Sequence, residues 1–196
     1  MELAHARLPP SIFNHSLRVY LYACEFRSTE EGTAEAKISV QPISAQLYVL
    51  FVACILHDIG TAAEYDADPA RFEVVGADVA ANLLRSHGTE EREIREAWLS
   101  IAVHTSPHIA ERLSGLVRSV RLGVRADFGS HPLPSSKPPD HLVQLLPRLD
   151  IEKDLGDAVV RQVVERREKA PHASWPGDLL RAKEANPEWD GVNKSF

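Results

Sequence analysis

Cysteine is nearly absent: the 196 residues hold only Cys24 and Cys54. That is too few for the disulfide framework of a secreted scaffold, so a reducing compartment is expected. Both lie in apolar, helix-like stretches and are read as packing residues. Long hydrophobic runs are missing as well. The most apolar stretch, Leu47 to Leu56, falls well short of the roughly 20 residues that cross a bilayer. No N-terminal segment has the charged, apolar and small-residue order of a signal peptide. A soluble, cytoplasmic protein with no membrane partner is the expectation. Positive charge is in deficit, with 22 Lys and Arg against 28 Asp and Glu, a net −6. Without a basic stripe or tail, nothing invites nucleic acid. No run alternates apolar and polar residues long enough to form a strand, and no internal repeat occurs.

What is present is helical periodicity, in a chain whose 44% hydrophobic and 26% charged residues are ordinary for a globular protein. The length suits a single domain over residues 1–196, with a core of about residues 11–150 and a C-terminal helical extension from 151 to 196. Ser11 is a natural N-cap for a first helix that places Ile12, His15, Val19, Tyr22 and Phe26 on one face. Residues 30–37 are polar and read as a loop. A second helix starts at Ser44, runs through the apolar stretch to His57 and stops near Gly60. A third spans about Ala70 to His87, with Gly88 as its stop. A fourth starts at Thr89 and reaches His104 before Pro107 ends it. A fifth covers Ile109 to Gly123, followed by a short irregular piece to Gly129. The proline-rich segment from His131 to Pro139 is a loop. Helices over about Asp140 to Arg148 and Asp154 to Lys169, and one short helix in the tail, complete the chain. The expected fold class is all-α, a helical bundle.

Within this pattern the pair His57-Asp58 closes the apolar second helix. An imidazole and an ionised carboxylate are costly to bury there without a partner. Neighbouring helical residues point about 100° apart, so both side chains can reach one ion at the helix end. His15 lies on the apolar face of the first helix, His104 ends the fourth, and Asp127 follows the fifth. Delivered to one centre, these residues form a nitrogen and oxygen donor set suited to zinc, iron or manganese, with no thiolate cluster to compete. Each also has a plain structural alternative: His15 as a core histidine, Asp127 as a helix cap or loop carboxylate, His104 as a C-terminal cap.

The order His15, His57-Asp58, Asp127 on an all-α background resembles the HD-domain superfamily of metal-dependent hydrolases. More narrowly, Leu56 to Thr61 (LHDIGT), Arg71 to Ala77 (RFEVVGA), Ala97 to Ser106 (AWLSIAVHTS) and Gly123 to Gly129 (GVRADFG) resemble its cyanamide hydratase-like branch, and Leu146 to Asp150 (LPRLD) extends the likeness. The resemblance implies a single divalent metal, commonly zinc, held by His15, His57, Asp58 and Asp127. It implies a lyase that hydrates a small nitrile, cyanamide to urea, with Asp58 accepting or relaying a proton and His104 orienting substrate or passing the second one. The alternative is phosphohydrolysis of a nucleoside monophosphate or another phosphate ester. That reading wants a basic group near the metal, for which Arg18 and Arg125 are the nearest in sequence.

Further roles are expected for three residues at the pocket or just behind it. Thr61 stands where the HDIGK-type motif of related phosphodiesterases has lysine, which weighs against phosphate. Glu73 is either a carboxylate holding a ligand histidine or a first-turn acid complementing the helix dipole. Phe72 packs the core or the pocket wall. His108 is four residues past His104, but Pro107 breaks the helix between them, so His108 belongs to the surface or rim rather than to a second metal. His5, His87, His131, His141 and His172 are expected in solvent. The proline-rich loop follows a proposed ligand and is placed to cover the pocket. A small-molecule substrate is the expected partner, and homo-oligomerisation is left open.

Overall fold

The computed structural model describes residues 1–31, 43–135 and 140–196. Among these the chain forms helices and no strands: α1 (Glu2–Arg7), α2 (Pro10–Glu31), α3 (Ile43–Leu56), α4 (Phe72–Ser86), α5 (Glu91–Ala102), α6 (Gly115–Asp127), α7 (Asp140–Leu145), α8 (Ile151–Glu165) and α9 (Trp175–Ala185), joined in places by single 3-10 turns. The all-α expectation holds.

The most apolar helix, α3, is the central one. Leu50, Ala53 and Cys54 are fully buried, and the helix touches α2, α4, α5 and α6. A helix apolar on all sides can only be stable when surrounded. The strongly amphipathic α6 buries Leu116, Val117, Val120, Gly123, Val124 and Asp127 and packs most extensively on α2. The packed pair α4 and α5 covers another side of α3, and α8 closes the bundle against α2 and α9.

Several boundaries differ from the sequence expectation. α1 was not expected; it buries little beyond Ala4. Ser11 is not the N-cap of α2 but lies inside its first turn, where its hydroxyl donates to Asp154 of α8. α5 is capped at Glu90, not Thr89. α8 starts and ends earlier than expected, and Arg167–Lys169 forms a separate 3-10 turn. The expected loop at residues 30–37 lies outside the described residues beyond Glu31, as do residues 136–139 of the proline-rich segment. The largest difference is in α6. The expected stop at Gly123 does not occur, and the helix continues to Asp127. Gly123 marks the crossing with α2 instead: a Cβ there would sit 2.7 Å from the Val19 carbonyl oxygen. Gly88, by contrast, is the expected helix stop, with φ +73°.

Candidate metal centre

α3 ends at Leu56, one residue before the histidine, so His57 and Asp58 lie in the turn that follows and not in the helix itself. Asp58 has φ −105° and ψ 5°, close to the sparsely populated bridge region where many active-site residues sit. A 3-10 turn over Ile59–Thr61 comes next. The turn is gripped from two sides. α4 presses on it through Gly76, whose Cβ position would lie 3.1 Å from the carbonyl oxygens of both Leu56 and His57. From α8, Gln162 donates to the Gly60 carbonyl at 2.9 Å and Arg161 to the Thr61 carbonyl at 3.0 Å.

Around this turn the histidines are held by the same device. Nδ1 of His57 donates to the Cys54 carbonyl at 2.7 Å, and Nδ1 of His104 to the Ile101 carbonyl at 2.6 Å. Because a carbonyl can only accept, the ring proton of each neutral imidazole sits on Nδ1, leaving the Nε2 lone pair to point inward. His15 is held by a carboxylate, with Nδ1 2.7 Å from Asp127 Oδ2. The three Nε2 atoms converge on Asp58. His57 Nε2 is 3.0 Å and His15 Nε2 3.6 Å from its Oδ2, and His104 Nε2 is 3.5 Å from its Oδ1. All four residues are essentially inaccessible. Yet among the described residues nothing but these histidines approaches either Asp58 oxygen, and a buried carboxylate left uncompensated costs about 1–3 kcal/mol or more. A buried carboxylate facing inward imidazole nitrogens is a place a cation could complete. The ligand atoms of His15, His57 and Asp58 all lie within 4.8 Å of one another, close enough to share one ion.

Asp127 stands one step back from this cluster. Its oxygens are taken by Arg18, through Nε at 2.6 Å and Nη2 at 2.8 Å, and by His15. Arg18 is almost fully buried and spends its remaining nitrogen on the carbonyls of Leu146 and Pro147, at 3.0 and 3.2 Å. Arg148 donates to the Asp127 backbone carbonyl. The geometry therefore makes Asp127 the partner that orients His15, and His104 is the further donor facing Asp58. Arg18, considered above as an anion-binding group, is wholly committed to Asp127 and these two carbonyls.

The remaining expected pocket residues sit behind the site. Thr61 is buried and donates its hydroxyl to the Asp58 carbonyl at 2.7 Å, so it shapes the turn instead of lining the cavity. Phe72 is buried with its ring centroid 5.7 Å from that of His104. Glu73 touches no histidine: it accepts from Arg71 Nε at 2.9 Å, again from Arg71 Nη2, and from the Thr105 hydroxyl at 2.7 Å. His108 is exposed with φ 65°. His172 is exposed too, but it lines the cavity.

Charge in the cluster is strongly coupled. Burial opposes ionisation of Asp58 and Asp127, but His57 and His104 around the first, and Arg18 and His15 around the second, hold both carboxyls well below the usual range. Burial lowers His15. His57 is also penalised by burial, but the adjacent Asp58 outweighs it and the net shift is upward. An imidazole with a raised pKa keeps its proton past pH 6.5, and that proton must leave before Nε2 can bind a metal. Zinc affinity of the metal-free protein is expected to rise with pH by up to about tenfold per unit while His57 still carries its proton and to level off once that proton is lost. A competition titration against a chromophoric chelator measures this, and a pH-independent affinity would remove His57 from the ligand set.

The cluster forms the inner end of a cavity of about 710 Å³. Arg71, Arg121, Arg125 and Arg181 line it, against Asp58, Glu152 and Asp178. The outer wall is aromatic: Phe128 stacks on His15 with centroids 4.7 Å apart, and Phe196 meets both Phe128 and Trp175 edge-on at 4.8 and 5.6 Å. Neither the four-arginine lining nor the return of the C-terminal residues to this wall was legible in the sequence. No helix among the described residues is long and apolar enough to cross a membrane. A family model described as "HD domain" matches residues 12–186, a span that contains every residue of the cluster. No curated protein matches the chain.

Proposed function

We propose that this chain, which belongs to the HD domain family, is a metal-dependent hydrolase acting on a small anionic molecule, a phosphate ester such as a nucleoside monophosphate. The observation that carries the reading is the Asp58 carboxylate, buried and surrounded by three inward-facing Nε2 atoms at the end of a large cavity. His15, His57 and Asp58 would hold the ion, and the two-nitrogen, one-oxygen donor set suits zinc, iron or manganese. When bound, such an ion supplies Lewis acidity and a nucleophilic water at neutral pH.

The chain's own residues account for the rest. Asp58, ionised throughout the physiological range, can accept a hydrogen bond from the attacking water and aim its lone pair. His104 is fixed through Nδ1 and free at Nε2, so it can take the water proton and return it to the oxygen of the leaving alcohol as the P–O bond breaks. The oxygen delivered by water stays on phosphorus, and the products are inorganic phosphate and the alcohol. Four arginines against three carboxylates in the lining, with a divalent ion added, leave the cavity net positive. An anionic substrate suits that balance.

A second reading is hydration of cyanamide to urea by a lyase of the cyanamide hydratase-like branch. The segments that carry that likeness, residues 71–77 and 97–106, supply Arg71, His104, Thr105 and Ser106 to the cavity lining. The volume weighs the other way, because pockets of roughly 300–1,000 Å³ enclose drug-sized ligands and cyanamide is far smaller. Elemental analysis of the purified protein, with parallel assays of phosphate release from nucleoside monophosphates and urea release from cyanamide, separates the two. Metal with phosphate release supports the ester reading, metal with urea release alone transfers support to the nitrile, and protein that binds no metal refutes both.

A further inference from the structure

We infer that Arg71 is the residue that anchors the phosphate group of the substrate, and that Glu73 and Thr105 exist to position it. The inference rests on the hydrolase reading above and names a binding residue that the metal cluster does not include. Glu73 has no exposed surface, and a carboxylate is buried that deeply only when it is paired. Its partner is Arg71, which reaches back across two residues to give both Nε and Nη2 to the two carboxylate oxygens. The Thr105 hydroxyl donates to one of the same oxygens at 2.7 Å and accepts from Arg71 Nη2 at 3.2 Å. Two groups, the Glu73 carboxylate and the Thr105 hydroxyl, thus lock a single guanidinium.

The lock leaves one nitrogen over. Nη1 of Arg71 has no hydrogen bond among the described residues, and the residue lines the cavity. The side chain is only 21% exposed. Thr105 directly follows His104, whose Nε2 faces Asp58 at 3.5 Å, so the guanidinium is tethered beside the metal-facing histidine. A planar cation held by its own carboxylate, on a cavity-lining residue with one nitrogen uncommitted, is organised to receive an oxyanion before the oxyanion arrives. The other lining arginines are placed differently. Arg121 is occupied by Glu111 at 3.0 Å and by the His104 carbonyl at 2.8 Å. Arg125 turns to the Ser130 carbonyl at 2.9 Å, and Arg181, on the rim, to Asp178 and the His172 carbonyl.

A purely structural Arg71–Glu73 pair would look similar in a static view, so the test measures ligand binding directly. Inorganic phosphate is titrated calorimetrically into zinc-loaded full-length protein, with metal content and melting temperature recorded for each variant. Arg71→Lys keeps a positive partner for Glu73 but loses the fork. The double variant Arg71→Met with Glu73→Gln removes both charges together, so no buried carboxylate is stranded. Both are expected to hold the wild-type amount of zinc and to bind phosphate about tenfold or more weakly. Wild-type phosphate affinity in either folded, zinc-loaded variant overturns the anchor while leaving the hydrolase reading intact, and so does a wild-type protein that cleaves phosphate esters without detectable phosphate affinity. If the chain binds no zinc but phosphate affinity still falls with these substitutions, the anchor stands and the hydrolase reading fails.

Discussion

Asp58→Asn is expected to take the protein from about one bound metal ion per chain to none detectable and to lower turnover by about 10³-fold or more. The substitution is nearly isosteric and removes one formal charge from a pocket where, among the described residues, only histidine nitrogens face that charge. In the metal-free protein its cost is confined to the lost pairing with His57 and His104, offset in part because one buried ionic group disappears. The loss appears only when metal is offered. Excess zinc should raise the melting temperature of the wild-type protein, because a ligand that binds only the folded state stabilises by RT ln(1 + [L]/Kd), and should leave that of the variant unmoved. Elemental analysis and paired thermal melts with and without zinc check this. An equal zinc-dependent shift in both proteins would show that Asp58 is not a ligand.

Gly60→Ala is expected to destabilise the fold by about 3 kcal/mol or more and to cost metal affinity at the same time. A Cβ at this position would lie 2.1 Å from the carbonyl oxygen of Phe72, 2.9 Å from its carbon and 3.0 Å from the Gly76 nitrogen. All three are backbone atoms at the start of α4, so no side chain can swing away. Either the 3-10 turn after Asp58 or the first turn of α4 must move, and the turn carries His57 and Asp58. Chemical denaturation measures the stability, and the chelator competition measures the affinity. A stable variant with unchanged zinc binding would mean that the contact between the turn and α4 is far looser than these distances require. By contrast, alanine at Gly88 meets nothing within 4 Å. Its cost is confined to the positive φ of the helix end.

Much of this arrangement is readable along the chain. Apolar spacing places α2 to α5 and α8 within a few residues, and Gly88 and Pro107 mark real interruptions, because helical periodicity and its breakers are local properties. His15, His57, Asp58 and His104 stand out for a similar reason: polar residues on faces or ends that are otherwise apolar announce an unmet need for a partner. Gly123 shows where local reading misleads. In sequence it resembles a stop, but it is the residue that lets α6 touch the α2 backbone at Val19, and the helix it was expected to end carries on to Asp127.

The chemical type of the molecule, all-α with nitrogen and oxygen groups that could ligate a metal on helix faces and ends, thus follows from the order of residues, since each element forms from neighbours within a few turns. The division of labour among the polar residues does not. Whether Asp127 joins the cluster or steadies His15 depends on Arg18, 109 residues away in sequence and brought to it at 2.6 Å by the packing of α2 on α6. Whether Glu73 serves a histidine or an arginine depends on Thr105 arriving at the end of α5. Hydrogen bonds are settled over about 3 Å, and which donors come within that distance of which acceptors is decided when the helices pack.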